Sequence, residues 1–198
     1  MENELSQWIS ALNSLLLILA SQPFTTPVLL DALSQFCVDQ LAAGFARIWL
    51  IDETGTALVL KSSRGQYTRL DGSRARIPIG QGSKIDKIYT EGAPHITNDV
   101  LSDPGVRDKE WAKQEGFVSF AGYPLVWGNE SLGVLGMYSR RPLSEELLLV
   151  LGVFAPLTSA MIFQSNQTER NMTKFCEVTG FKRTLLDRLI VLGRAKDH

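Results

Sequence analysis

The chain has 198 residues, 44% hydrophobic and 21% charged, which suits one ordinary domain with an appendage and excludes a disordered tail. A net charge of −1 and only two cysteines argue against an electrostatic nucleic-acid binder and a disulfide framework, and fit a reducing, cytoplasmic setting. The longest apolar run near the N-terminus, Leu15–Ala20, falls far short of the ~20 residues of a bilayer span, and acids stand where a signal peptide has bases.

Leu5, Trp8, Ile9, Leu12, Leu15, Leu16 and Leu19 recur at helical spacing, which predicts an amphipathic helix over residues 4–20. Gln22-Pro23 through Pro27 interrupts it. A second helix is predicted over Val28–Ala43, ended by Gly44. Phe45–Ile51 is apolar and β-branched, runs into the turn Asp52-Glu53-Thr54-Gly55, and pairs as a hairpin with Ala57–Ser62. A polar loop, Arg64–Arg74, leads to a short strand at Arg76–Ile79, closed by Gly80-Gln81-Gly82. A helix over Ser83–Thr90, a strand at Pro94–Thr97 and a loop over Asn98–Arg107 follow, the loop turning at Asp103-Pro104-Gly105. Asp108–Glu115 reads as a short helix stopped by Gly116. Val118–Val126 and Leu132–Ser139 read as strands joined through Trp127–Ser131. Ser144 caps a long apolar helix with Glu145 and Glu146 in its first turn, where the helix dipole favours acids. Pro156 is expected to kink that helix.

Hairpins join the first two and the last two strands, so the sheet is largely antiparallel with helices on its faces. That is an α+β fold. Charge is unevenly placed: residues 1–46 hold four acids and no Lys or Arg, whereas residues 166–198 hold seven bases against four acids. Opposite signs at the two ends suit packing of the terminal helices on each other or on a second subunit.

The stretch Glu110-Trp111-Ala112-Lys113-Gln114-Glu115-Gly116-Phe117 through Tyr123-Pro124-Leu125, followed by Leu132-Gly133-Val134-Leu135-Gly136 and Ser139-Arg140-Arg141-Pro142-Leu143-Ser144, resembles the GAF domain family. Ile77-Pro78-Ile79-Gly80-Gln81-Gly82 and Asn98-Asp99-Val100 to Asp103-Pro104 add to the likeness. The resemblance divides the chain into an N-terminal helix (1–27), a GAF-like domain (28–163) and a helical tail (164–198). It implies a PAS-like antiparallel sheet of five or six strands, with terminal helices on one face and a ligand pocket under loops on the other. Such domains are sensory modules, and many form dimers through their terminal helices.

Of the residues that bind cyclic nucleotides in this family, only Lys109 survives here. Leu143 stands in the place of a Phe, and Leu147-Leu148 in that of an Asp-Glu pair. A covalent bilin needs a cysteine near the pocket, as does the catalysis of GAF-type methionine sulfoxide reductases. Cys37 and Cys176 both fall in predicted helices outside the loops. Haem needs an axial ligand, and the histidines are His95, on a short strand, and the terminal His198. The cofactor is therefore left unknown, with bilin, haem and cyclic nucleotide disfavoured. Gly80-Gln81-Gly82 lacks the third glycine and the βαβ setting of a dinucleotide loop. No Cys/His spacing suits zinc, and neither a Ser/His/Asp set nor an acid/base carboxylate pair is evident.

These exclusions leave a non-catalytic pocket for a small polar molecule or anion. The free N–H groups at the start of the Asp108–Glu115 helix would face an anion, with Arg107 and Lys109 adding positive charge. Trp111, Phe120 and Tyr123 would form walls. Asn98 and Asp99 are candidates too, or else hold the loop through side-chain-to-backbone bonds. The face taken by Trp49 depends on strand register.

In the tail, a helix over Asn171–Thr179, Gly180 and a second helix resemble the helix-turn-helix of Fis-type DNA-binding domains, with Lys182, Arg183 and Arg188 as DNA-facing cations. The spacing after the glycine is about one residue short, and Asp187 would oppose phosphate. Packing of Phe175, Phe181, Leu185, Leu189 and Leu192 on other helices or across a dimer is the favoured alternative. The leading expectation is a dimeric sensor that relays ligand occupancy through its terminal helices to a separate partner protein. A ligand-responsive transcription regulator and a degenerate domain that only mediates protein contacts are the alternatives.

Overall fold

The computed structural model describes residues 2–21 and 24–179. Helices α1 (Glu2–Ser21) and α2 (Thr26–Asp39) precede strands β1 (Phe45–Ile51), β2 (Ala57–Gly65) and β3 (Arg76–Pro78). Then come α3 (Lys84–Glu91), β4 (His95–Thr97), α4 (Lys109–Gln114), β5 (Ser119–Trp127), β6 (Glu130–Ser139) and α5 (Glu145–Thr179). The six strands form one sheet in the order β3-β2-β1-β6-β5-β4. Every adjacent pair is antiparallel, as expected of the α+β class.

Residue chemistry explains where the elements begin and end. Helix α2 begins two residues earlier than the expected Val28, so that Pro27 sits in its first turn, where a missing N–H costs nothing and the fixed φ suits the helix. The helix stops before Ala43 because the N–H groups of Leu41 and Ala43 both donate to the Cys37 carbonyl and Ala42 turns left-handed at φ 56°. Ser83 caps α3 by accepting from the Asp86 N–H at 3.2 Å, and Ser144 likewise accepts from the Leu147 N–H at the head of α5. The α-helix continues through Pro156. Pro156 and Gly152, one turn earlier, are both exposed, so water can solvate the carbonyl that loses its partner.

Period-two alternation splits the sheet into two faces. Ala46, Ile48 and Leu50 of β1, Ala121, Tyr123 and Leu125 of β5, and Leu135 and Met137 of β6 pack with α1, α2 and α5 in one core. Phe45 and Trp49 of β1, Phe120 of β5 and Val134 of β6 belong to a second core with Ile85 and Ile88 of α3 and Ala112 of α4. The terminal helices thus cover one face, and loops with short helices cover the other. The start of α2 is tied to α5 by the Thr26 N–H donating to Glu169 Oε1 at 2.8 Å, and α2 to β2 by the Asp31–Arg64 ion pair.

Among the described residues one stretch, Glu145–Glu177 of α5, is long and apolar enough by length and composition to cross a membrane, which the N-terminal apolar run is not. Its Leu147, Val150, Leu151, Phe154, Ala155 and Ile162 are buried in the helix-side core.

Candidate functional site

A cavity of about 260 Å³ lies between the sheet and the loop layer. Phe45 and Trp49 of β1, Phe120 of β5 and Gly136 and Tyr138 of β6 make its floor, with Arg47 beside them. One wall is the β2–β3 connection, through Tyr67, Ser73 and Arg74; the other is Lys84 and Ile85 of α3, residues 105–108 and Trp111 of α4. Phe45, Trp49, Ile85 and Phe120 are buried, whereas Ser73, Arg74, Arg107 and Asp108 are exposed, so the space runs from an apolar floor to a charged mouth.

Hydrogen bonds fix the walls. Trp49 Nε1 donates to the Arg74 carbonyl at 2.9 Å, anchoring the β2–β3 connection over the sheet. Trp111 Nε1 donates to Tyr67 Oη at 2.9 Å, and that hydroxyl donates to Glu115 Oε1 at 2.5 Å. Gln66 also donates to Glu115 and accepts from Arg140, so the connection is bound to the end of α4. On the far wall Lys84 Nζ lies 2.5 Å from Asp103 Oδ2 and 4.2 Å from the centre of the Phe120 ring. His95 Nε2 shares that carboxylate oxygen at 2.8 Å, and the Gly105 N–H donates to its other oxygen at 2.7 Å. Burial alone would raise the Asp103 pKa, but these bonds outweigh it and hold the carboxyl at about 2. Burial pulls Lys84 down against the opposing pull of Asp103. The pair forms a partition, for Lys84, Gly105 and Arg107 line both this cavity and a neighbouring cleft that contains His95.

Arg47 is half-buried, and burial, then the nearby positive charge of Arg74, draws its pKa below the ordinary value. Tyr138 sits on the same floor, and burial pushes its phenol up to about 12, so it carries a neutral hydroxyl at physiological pH.

The expected site residues separate into three groups. Arg107, Trp111 and Phe120 line the cavity. Asn98 and Asp99 hold the loop: Asn98 donates through Nδ2 to the Leu143 carbonyl at 3.1 Å and accepts at Oδ1 from the Leu143 N–H at 2.7 Å. Asp99 accepts from the Ser102 N–H. Lys109 and Tyr123 lie elsewhere. Lys109 is exposed at the start of α4, near Asp99 rather than the cavity. Tyr123, three residues from Phe120 on the same strand, has the opposite parity and is buried in the helix-side core. The start of α4 is also not an open anion site, because Asp108 Oδ1 accepts from the Trp111 N–H at 2.9 Å. Lys182, Arg183 and Arg188 fall outside the described residues.

Arg47, Arg74, Tyr67 and Tyr138 were not anticipated. A signal for Arg47 exists, since a charged residue in an otherwise apolar strand shares a face with Phe45 and Trp49 by alternation. The other three depend on loop path and pairing register. No cysteine is among the lining residues. Cys37 is buried on the helix side, where burial pushes its thiol up to about 12.

Comparison with known proteins identifies the fold. Similar solved structures include the GAF domain of a phosphoenolpyruvate-protein phosphotransferase from Coxiella burnetii (TM-score 0.72, 17% identity, 84% of this chain and 98% of that one). A second is the free methionine-R-sulfoxide reductase of Neisseria meningitidis in complex with its substrate (TM-score 0.67, 19% identity, 83% and 93%). A third is described as a GAF sensor protein from Burkholderia vietnamiensis (TM-score 0.66, 17% identity, 83% and 98%). At these identities the likeness is one of fold, and the fold serves both sensory modules and enzymes. A search of the curated proteins found no match. The GAF domain family model matches residues 26–162, well over half of the chain, and the protein is a member of the GAF domain family.

Proposed function

We propose that this GAF domain is a non-catalytic sensor: a small molecule fills the cavity, and the terminal helices pass its presence to a partner. The observation that carries this reading is the cavity itself, a hollow of about 260 Å³ with an aromatic floor and a cationic mouth, on the sheet face opposite the terminal helices. It lies just below the ~300–1,000 Å³ of drug-sized sites, a size for a metabolite of one ring or a short chain. The absence of cysteine from its lining speaks for binding over thiol chemistry.

A route through the loop backbone and two hydrogen bonds links cavity and helices. Residues 105–108 form a wall of the cavity, and the same loop begins at Asn98, whose amide grips both backbone groups of Leu143. Leu143 immediately precedes Ser144, the cap of α5. A shift of the loop is therefore felt at the head of α5, which packs with α1 and α2. Exposed Ile9, Leu17 and Ile18 of α1 and Leu149 and Val153 of α5 offer apolar area for a second copy or a partner protein.

Native mass spectrometry of the protein purified from its own host tests the reading. A small non-covalent adduct, reduced in Trp111→Ala and retained in Lys109→Ala, is the expected result. An adduct unaffected by Trp111→Ala, or steady turnover of an added compound in the cavity, would overturn it.

A further inference from the structure

Resting on that reading, we propose a chemical class for the ligand: a small organic anion with a planar apolar body, its acid group against Arg47 and Arg74 and its ring in the aromatic box above Gly136. The first support is the state of the two arginines. Arg64, Arg69, Arg76 and Arg140 each hold a carboxylate, from Asp31, Asp71, Asp52 and Glu115 respectively. Arg47 and Arg74 have no acidic partner among the described residues; of the other arginines in that state, Arg141 and Arg170 lie away from the cavity and Arg107 is exposed at its mouth. Arg47 is nonetheless aimed: its Nε donates to Ser63 Oγ at 3.1 Å, and its guanidinium lies 5.3 Å from the centre of the Phe45 ring and 5.9 Å from that of Tyr67. That fixes the head group and leaves its two terminal amino groups without a bond to another described residue. A planar fork in this condition matches a carboxylate or phosphate edge.

The charges around the cavity favour an anion. Arg47, Arg74 and Arg107 line it as cations, against the single lining acid Asp108, while Lys84 in the same lining is paired with Asp103. Asp108 is engaged at the α4 cap, Asp103 neutralises Lys84, and Glu115 is bound by Tyr67 and Gln66. Arg47 and Arg74 repel one another, and an anion between them relieves that repulsion. The Tyr138 hydroxyl, without a hydrogen-bond partner among the described residues, supplies a further donor at the same floor.

The body of the ligand follows from the rest of the lining. Trp49, Trp111, Phe120 and Tyr138 line the space, an aromatic environment in which a flat ring packs well. Gly136 keeps the floor open, since a Cβ there would lie 3.3 Å from Trp49 and 3.6 Å from both Ile85 and Phe120. A bare inorganic ion would leave that apolar space unfilled.

Isothermal titration of the full chain with benzoate, phenyl phosphate, benzamide, benzylamine, acetate and inorganic phosphate tests the assignment and separates a carboxylate from a phosphate source. Benzoate or phenyl phosphate is expected to bind at least tenfold tighter than benzamide, benzylamine, acetate or inorganic phosphate. Arg47→Gln and Arg74→Gln should each cost the anion tenfold and leave benzamide unchanged. Benzamide binding as tightly as both aromatic anions, or anion affinity unaltered in both variants, overturns the class while leaving the cavity reading in place. If none of the probes binds, the class is overturned as well, and the adduct experiment on the host-purified protein then judges the cavity reading separately.

Discussion

Replacing Asp103 by Asn probes the partition beside the cavity, and its effect can be sized from the structure. The Asp103 side chain is 3% exposed and that of Lys84 6%, so removing the carboxylate strands an ammonium away from water. Holding the carboxyl at about 2 rather than near 3.8 corresponds to about 2 kcal/mol at neutral pH. Breaking a buried ion pair from one side typically costs ~3–5 kcal/mol. We expect Asp103→Asn to lose about 3 kcal/mol at pH 7 by urea denaturation, or roughly 6–12 °C in melting temperature for a domain of this size. The sign of the pH dependence follows from the depressed value. The contribution is fully present above the unfolded carboxylate range and is lost as pH falls from about 4 through about 2. The difference between wild type and variant should therefore shrink in that window. Adding Lys84→Met to the variant should restore part of the loss, because no charge is then stranded. A single variant within 1 kcal/mol of wild type at pH 7, with the same acid profile, would refute the argument.

Three further outcomes are expected. Asn98→Ala removes two bonds to the Leu143 backbone and should cost about 1–3 kcal/mol in chemical denaturation, while ligand affinity in titration changes little because Asn98 does not line the cavity. Trp111→Ala should weaken binding of the cavity ligand at least tenfold with Lys109→Ala close to wild type, a contrast readable in one titration series. Cys37, buried and with its thiol pushed up to about 12, should resist iodoacetamide in the folded protein and react only on unfolding, as peptide mass mapping would report.

Particular residues explain what could be read in advance. The hairpins were legible because their turn residues are explicit: Asp52 accepts from the N–H groups of Thr56 and Ala57, a turn device written into Asp52-Glu53-Thr54-Gly55. The sides of the sheet were less so. Trp111, Arg107 and Phe120 line the cavity because they fall in or beside the loop-and-helix layer, whereas strand parity separates Tyr123 from its near neighbour Phe120 and turns it to the helix side. Arg74 is held beside the cavity by a bond from Trp49 of β1 to its carbonyl, a contact between residues far apart in the chain that no local pattern encodes. Asn98 stood among the candidates as either a ligand contact or a loop clasp, and the geometry gives it the second role.

Hydrogen exchange followed by mass spectrometry, with and without the tightest-binding small molecule, tests most directly whether the helices register what the cavity holds. The account predicts slower exchange in residues 99–111 and also from Leu143 into the first half of α5, with the second effect lost in Asn98→Ala. Protection that ends with the cavity lining, leaving every amide from Leu143 onward unchanged in the wild-type protein, would contradict it.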